Sequence, residues 1–246
     1  IQKLMPLCLT NLSGGSKDNA IPRSCQATMV AMGINLQRIN TIAEELQAEI
    51  REQYDEPEVT IQAFDVDALG GNALPTELTA KVIALLCSAP NGVQKMSMDI
   101  PGLVETSCNL GIVKTLEDSV QLQVSIRSSV ESEKRELSDK IRYLTEFLGC
   151  DYQESGDYAG WEYNPDSKLQ KIMVDVYEKL YGKQPKVEAV HAGLECGLFT
   201  EKFPGLDMVS MGPTLRGVHA PGERLDLASL DKFTDLLIDV VTTFGK

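Results

Sequence analysis

The chain has 246 residues, 43% of them hydrophobic and 24% charged, and a net charge of −13 at neutral pH, the make-up of a globular protein that can bury one sizeable core and has room for two domains. No apolar run approaches the roughly 18 residues of a membrane span, and the acidity argues against a nucleic-acid backbone as partner, which calls for clustered Lys and Arg. Cys8, Cys25, Cys87, Cys108, Cys150 and Cys196 form no Cys-x-x-Cys and no zinc-ribbon spacing, so they read as small hydrophobes of a reduced, cytoplasmic protein.

Ile1-Gln2 is not an ordinary translation start, and the chain is expected to be a processed product or a piece of something longer. Lys3–Asn11 and Arg23–Met32 read as strands joined by the Gly/Asn/Asp/Ser loop Ser13–Asn19, hence a hairpin. From Asn35 to Gln53 the apolar residues Leu36, Ile39, Ile42, Ala43, Leu46 and Ile50 recur at helical spacing. Val59, Ile61 and Ala63 alternate with polar neighbours, predicting a strand over Glu58–Val66. Thr76–Ser88 reads as a helix with Pro75 near its start. Beyond a Gly- and Pro-rich loop (Ala89–Gly102), Glu105–Val113 and Ser119–Arg127 form a second predicted hairpin, followed by a charged helix, Glu131–Leu148, with Leu137, Ile141, Leu144 and Leu148 inward. Strands paired locally in this way predict an α+β domain, an antiparallel sheet with helices on one face.

The pattern changes near Gly156–Asn164. Helix Ser167–Tyr181, strand Val187–Val190, a Gly-rich loop with a short helix, strand Met208–Met211 and helix Leu227–Thr243 follow. Strands separated by helices read as part of a parallel α/β sheet, and two of them make a poor sheet alone. Each of these strands ends at a loop with one of the chain's two histidines, His191 or His219. The carboxyl ends of such strands are where α/β sheets bind ligands, and neutral imidazole is a common metal ligand. A metal site needs roughly three or four protein ligands, so polar loop residues with satisfied hydrogen bonds are the competing reading. Cys196 is set aside as a nucleophile, because the adjacent Glu195 would raise its pKa.

Four segments resemble the aminoacyl-histidine dipeptidases (peptidase D type), which belong to the dizinc metallopeptidase family that includes carnosinases and deacylases. They are Ser13-Gly14-Gly15 with Asn19-Ala20-Ile21-Pro22-Arg23, Val104-Glu105-Thr106-Ser107 with Asn109-Leu110-Gly111, the string His191 to Phe199 (HAGLECGLF), and Met208-Val209-Ser210-Met211-Gly212-Pro213 with His219. The resemblance implies a lid or dimerisation domain over residues 1–157. It implies the carboxy-terminal part of a zinc peptidase catalytic domain over 158–246, the whole being the second half of a family member.

By the same resemblance, the chemistry is hydrolysis of a dipeptide by a water held between two zinc ions, with a glutamate accepting its proton. Only the last metal ligand maps here, onto His219, and the chain contains no His-x-Asp. No catalytic residue is therefore expected within it, and no tightly bound zinc. Asn19 resembles a lid asparagine that reaches the substrate or its developing oxyanion, a local turn residue being the alternative. Arg127 resembles the arginine that grips the dipeptide's free carboxylate through paired hydrogen bonds; Arg23 competes for that role, and a surface ion pair is the plain alternative. His191, Gly193 and Glu195 are expected to face the site, with the Gly193 amide able to bind the carboxylate; Glu195 is read first as a structural hydrogen-bond partner of the loop backbone, the alternative being a pair with a substrate amine or imidazolium.

The complete protein is thus expected to cleave Xaa-His dipeptides in the cytoplasm as a homo-oligomer, with no nucleic-acid or membrane partner. The alternatives are a non-catalytic lid and dimerisation fragment, or a related deacylase or tripeptidase. A chain with unpaired strand edges is also expected to self-associate.

Overall fold

The structure, a computed structural model, describes residues 7–33, 35–67, 72–188, 195–218 and 221–245. In chain order its elements are β1 (Leu7–Gly14), β2 (Cys25–Ala31), α1 (Leu36–Tyr54), α2 (Thr76–Ser88), β3 (Gly92–Met96), β4 (Val104–Thr115), β5 (Val120–Ser128), α3 (Glu131–Phe147), α4 (Lys168–Tyr181), α5 (Glu195–Lys202), β6 (Leu215–Arg216), β7 (Arg224–Leu225) and α6 (Leu227–Phe244). The larger sheet runs β2-β1-β4-β3, with β5 also paired to β4. The result is a mixed α/β chain with an antiparallel sheet and helices, as the local pairing pattern predicts. Among the described residues no helix is long and apolar enough to cross a membrane.

The chain forms two compact units. The first comprises Ile1–Gly92, Cys108–Ile126 and Ser138–Tyr152; the second comprises Val93–Ser107, Arg127–Leu137 and Gln153–Lys246.

In the first unit β1 and β2 form the expected antiparallel hairpin, Leu7 opposite Ala31 and Gly14 opposite Cys25, with an irregularity between Leu9 and Asn11. That bulge explains the leucine spacing. Strict alternation from Leu7 and Leu9 would put Asn11 inside, whereas one extra residue returns Leu12 to the buried face. The Leu9 N–H at the bulge donates to Thr79 Oγ1 of α2 (3.1 Å), and the Leu9 carbonyl accepts from Leu74 N (2.7 Å). Leu7, Leu9, Leu12, Val82 and Val113 form the core beneath α2.

The predicted strand Glu58–Val66 is not a strand. It runs extended beside α1 and bonds to side chains instead of to a neighbouring backbone. Ile61 N donates to Gln47 Oε1 (2.8 Å), Ala63 N to Asn40 Oδ1 (3.1 Å), and Arg51 Nε to the Val59 carbonyl (2.8 Å). Asn40, Gln47 and Arg51 lie one above another on a single helical face, so period-two burial arises with no ladder.

In the second unit α4 packs on α6 through Val176, Leu236 and Val240. Ser167 caps α4 by accepting from Gln170 N (3.0 Å), and Asp226 caps α6 by accepting from Ser229 N (3.2 Å). Strand β3, inside the stretch read as a loop, pairs with β4 and returns through a turn closed by Ser97 N on the Leu103 carbonyl (2.9 Å). Met208–Met211 is described without strand structure, and so are Val187 and Glu188; Ala189 and Val190 lie outside the described residues. A β-prone run becomes a strand only when a neighbour completes its ladder, and here Met211 rests on the α4–α6 core instead.

Candidate functional site

Asn19 stands in an exposed turn between β1 and β2, in the first unit. Its φ is not positive, Asp55 being the sole non-glycine with positive φ among the described residues, so it does not take up the left-handed conformation of many asparagine turns. Two glycines let its loop lie flat on β4. A Cβ on Gly15, where φ is +72°, would come within 1.8 Å of the Gly111 carbonyl oxygen, and one on Gly111 within 2.4 Å of the Asp18 carbonyl oxygen. Asn109, on the same face of β4 as Gly111, donates through Nδ2 to the carbonyls of Asp18 (2.6 Å) and Ala20 (2.9 Å), one on each side of Asn19. The first two segments singled out in the sequence therefore meet. A hollow of about 410 Å³ within the loop is bordered by Lys17 and Arg23, and Asn19 is not part of its wall.

Arg127 belongs to the second unit, next to last in β5. The strand end is held by β4. Ser128 Oγ lies 2.9 Å from Thr106 Oγ1, and Ser129 N donates to the Glu105 carbonyl at 3.3 Å. Arg127 lines a cavity of about 1020 Å³ together with Glu105, Tyr158, Trp161, Tyr163 and Met211. Close backbone approach continues from there. A Cβ on Gly160 would meet the Ser129 carbonyl oxygen at 2.6 Å, and one on Gly197 of α5 would meet that of Ala159 at 2.3 Å. The second glycine of the HAGLECGLF string thus seats α5 against the 159–160 segment, a packing reason for the absence of a side chain there. Glu195 opens α5 and is exposed; it does not line the cavity.

Nearby charges are satisfied among themselves. Lys95 Nζ lies 2.6 Å from Glu133 and 3.2 Å from Glu105. Lys134 reaches Glu131 (2.9 Å), Asp157 (2.6 Å) and the Tyr158 carbonyl (2.6 Å), fixing the start of the segment where the sequence pattern changes. Partial burial works against the Lys134 ammonium, yet its bonds to Asp157 and Glu131 hold its pKa above the ordinary lysine value. Cys196 behaves as its neighbour predicts: burial first and the Glu195 charge second raise its thiol.

His191, Gly193 and His219 lie outside the described residues. Among the described residues no group of three or more His, Cys, Asp or Glu side chains is placed to hold a metal ion. The sequence reading missed Asn109, whose motif it singled out without giving that side chain a task. It also missed the aromatic wall of Tyr158, Trp161 and Tyr163. Large aromatics crowded into a Gly/Asn-rich stretch have no periodic element to bury them, and that was the available signal.

The model of the family described as Peptidase family M20/M25/M40 matches residues 24–243. The chain belongs to that family. Over 239 residues this M20 chain is 31% identical to the cytosol non-specific dipeptidase of Escherichia coli (strain K12), covering 96% of itself and 49% of that protein. The crystal structure of aminoacylhistidine dipeptidase from Vibrio alginolyticus superposes with a TM-score of 0.87 at 33% identity, over 98% of this chain and 49% of the other. Aminopeptidase PepT from Bacillus cereus ATCC 10987 superposes at 0.57 with 13% identity, over 98% of this chain and 54% of the other, a likeness of fold alone. The chain spans about half the length of the relatives it matches.

Proposed function

We propose that this chain is the carboxy-terminal half of a metal-dependent dipeptidase that cleaves Xaa-His dipeptides. The observation that carries the reading is the 0.87 TM-score at 33% identity with an aminoacylhistidine dipeptidase. In this reading residues 1–157 serve the lid and the dimer, and 158–246 return to the catalytic domain. Arg127, on the wall of an aromatic-lined cavity, binds the substrate's free carboxylate as a two-pronged donor, and the Gly193 amide is a further donor to that carboxylate. Asn19 offers its amide to the oxyanion. His191 and Glu195 contact the histidine side of the substrate.

His219 supplies one ligand of a centre with two zinc ions, a metal suited to imidazole and carboxylate donors; its remaining ligands and the general base lie outside this chain. When bound, the metal centre supplies an activated water and a polarised carbonyl. A second reading has support of its own. Lacking any His-x-Asp, the chain taken alone is a non-catalytic lid and dimerisation fragment. Cytoplasmic location is proposed from the name of the E. coli relative. Homo-oligomer formation draws support from exposed apolar residues of α6, Ile238 at 57%, Val241 at 63% and Phe244 at 61%.

One comparison tests these readings. The 246-residue chain and the complete protein are purified side by side for metal content, mass by light scattering, and kcat/KM on a panel of Xaa-His, other dipeptide and N-acyl substrates. The expected result is a metal-loaded complete enzyme that prefers Xaa-His, with an inactive, self-associated chain. Equal rates on all dipeptides would replace the Xaa-His preference with the broader specificity in the E. coli relative's name. Activity on N-acyl substrates alone would replace the dipeptidase reading with a deacylase.

A further inference from the structure

We propose that Asn109, backed by Gly111, is the positioning residue that sets Asn19 for the reaction. The inference rests on the role given to Asn19 above. Asn19 sits on a loop that no helix or ladder controls. Ten residues separate the paired ends of β1 and β2, and Gly15 N on the Ser24 carbonyl (3.3 Å) closes only the base of the loop.

What fixes the tip is a single amide. The two N–H groups of Asn109 Nδ2 reach the Asp18 and Ala20 carbonyls at 2.6 and 2.9 Å, so the 18–19 and 20–21 peptide units, which bracket the one between Asn19 and Ala20, are held from one point. An asparagine amide nitrogen carries two donors, which matches two carbonyls, whereas a carboxylate there would face both with acceptors alone. Asn109 is itself held, because the next residue's N–H, Leu110 N, donates to Asn91 Oδ1 at 2.8 Å. Gly111 completes the seat, since any side chain there would strike Asp18. None of these contacts involves the Asn19 side chain, which stays exposed. The clamp orients the residue and leaves its amide free to act.

The test is a double-mutant cycle in the complete enzyme on an aminoacyl-histidine dipeptide, joined to hydrogen exchange of residues 15–24 read by mass spectrometry. Asn19→Ala should lower kcat by about 100-fold, the size of losing one oxyanion donor. Asn109→Ala should lower kcat by roughly 10-fold to 100-fold with KM within about two-fold, as small misplacements of reacting groups do. In the Asn19→Ala background the same change should cost less than about two-fold. Gly111→Ala, which displaces the loop from below, should show the same coupling and serves if Asn109→Ala folds poorly. Both single variants should speed exchange in 15–24 while α1 and α2 stay protected.

Unchanged exchange in 15–24 overturns the clamp whatever Asn19 does. A full penalty for Asn109→Ala on top of Asn19→Ala also overturns it and leaves the Asn19 role standing. Wild-type turnover by Asn19→Ala removes the reading beneath the proposal, and the proposal with it.

Discussion

The two compact units are built on different balances of ladder and loop. In the first, a bulged strand, its hairpin partner and α2 enclose five buried aliphatic side chains, and even the amide at the bulge is satisfied by Thr79, which is fully buried. In the second, three buried side chains join α4 to α6, and the β-prone stretch Met208–Met211 has no ladder. In the first, β1 and β2 pair through their hairpin turn, and β1 also pairs with β4, Ser13 opposite Lys114. The second has its larger cavity beside that ladderless stretch, with Met208 to Met211 in the cavity wall. The aliphatic core around Leu9 and Val82 and the cavity walled by Arg127 and the aromatics therefore draw on separate residues.

The largest test of that contrast is a pair of core truncations. Leu9→Ala should cost about 2–5 kcal/mol, as a leucine in a well-packed core does. Val240→Ala removes two methyl groups and should cost roughly 1.6 kcal/mol. The single tryptophan, Trp161, lies in the second unit, so its fluorescence reports that unit while far-UV circular dichroism reports both. In urea titrations Leu9→Ala should lower the dichroism midpoint more than the fluorescence midpoint, and Val240→Ala the reverse. If both probes shift together in both variants, the contrast fails and the chain unfolds as one block.

A smaller effect comes from Cys108 in β4, 3% exposed, whose thiol is pushed by burial from an ordinary 9.0 to about 11. Below pH 9 the thiol is neutral in both folded and unfolded states, and its contribution to stability is constant. Between pH 9 and about 11 the unfolded chain ionises and the folded one does not, so stability falls by up to about 1.4 kcal/mol per pH unit. Urea unfolding from about pH 8 to about pH 10.5, in the range where the linkage acts, should show a steeper fall in wild type than in Cys108→Ala, the difference being this slope. Parallel curves for the two proteins would mean that the thiol is hydrated in the folded state.

How much of this could be read from the sequence follows from the range of each interaction. Helices α1, α2, α3, α4 and α6 were legible because apolar spacing and caps such as Ser167 lie within a few residues of one another. Both hairpins were legible for the same reason. The bulge in β1 was not, although Leu7, Leu9 and Leu12 carry its phase, because alternation with one extra residue resembles a broken pattern. Glu58–Val66 misled because side chains of α1 mimic a ladder. Strand β3 was hidden by its exposed, glycine-bounded sequence. At the candidate site, Asn19 and Arg127 came from resemblance to a family. The supports beneath them, Asn109 for one and Glu105 with Thr106 for the other, became visible only when β4 brought distant segments together.

The smallest expected effect lies at the start of α4. Asp207 accepts from Leu169 N at 2.9 Å, tying the Met208–Met211 segment to a helix N-terminus, where a carboxylate is favoured. Burial works to raise its pKa, but the Leu169 amide, the Ser167 hydroxyl, and the amide and charge of Lys168 together hold it below the ordinary 3.8. A depressed carboxylate stabilises the fold above its unfolded value, and that stabilisation is lost as pH falls through the folded value. Asp207→Asn keeps an acceptor and removes the charge, so it should cost roughly 0.3–1 kcal/mol near neutral pH, the usual worth of a carboxylate at a helix N-terminus. The difference from wild type should shrink in acid below the ordinary 3.8, as Asp207 itself becomes protonated. Thermal melts of both proteins at neutral pH and near pH 3 check this. A gap that persists unchanged in acid would show that Asp207 acts through shape and packing, and that its charge does not hold the ladderless segment to α4.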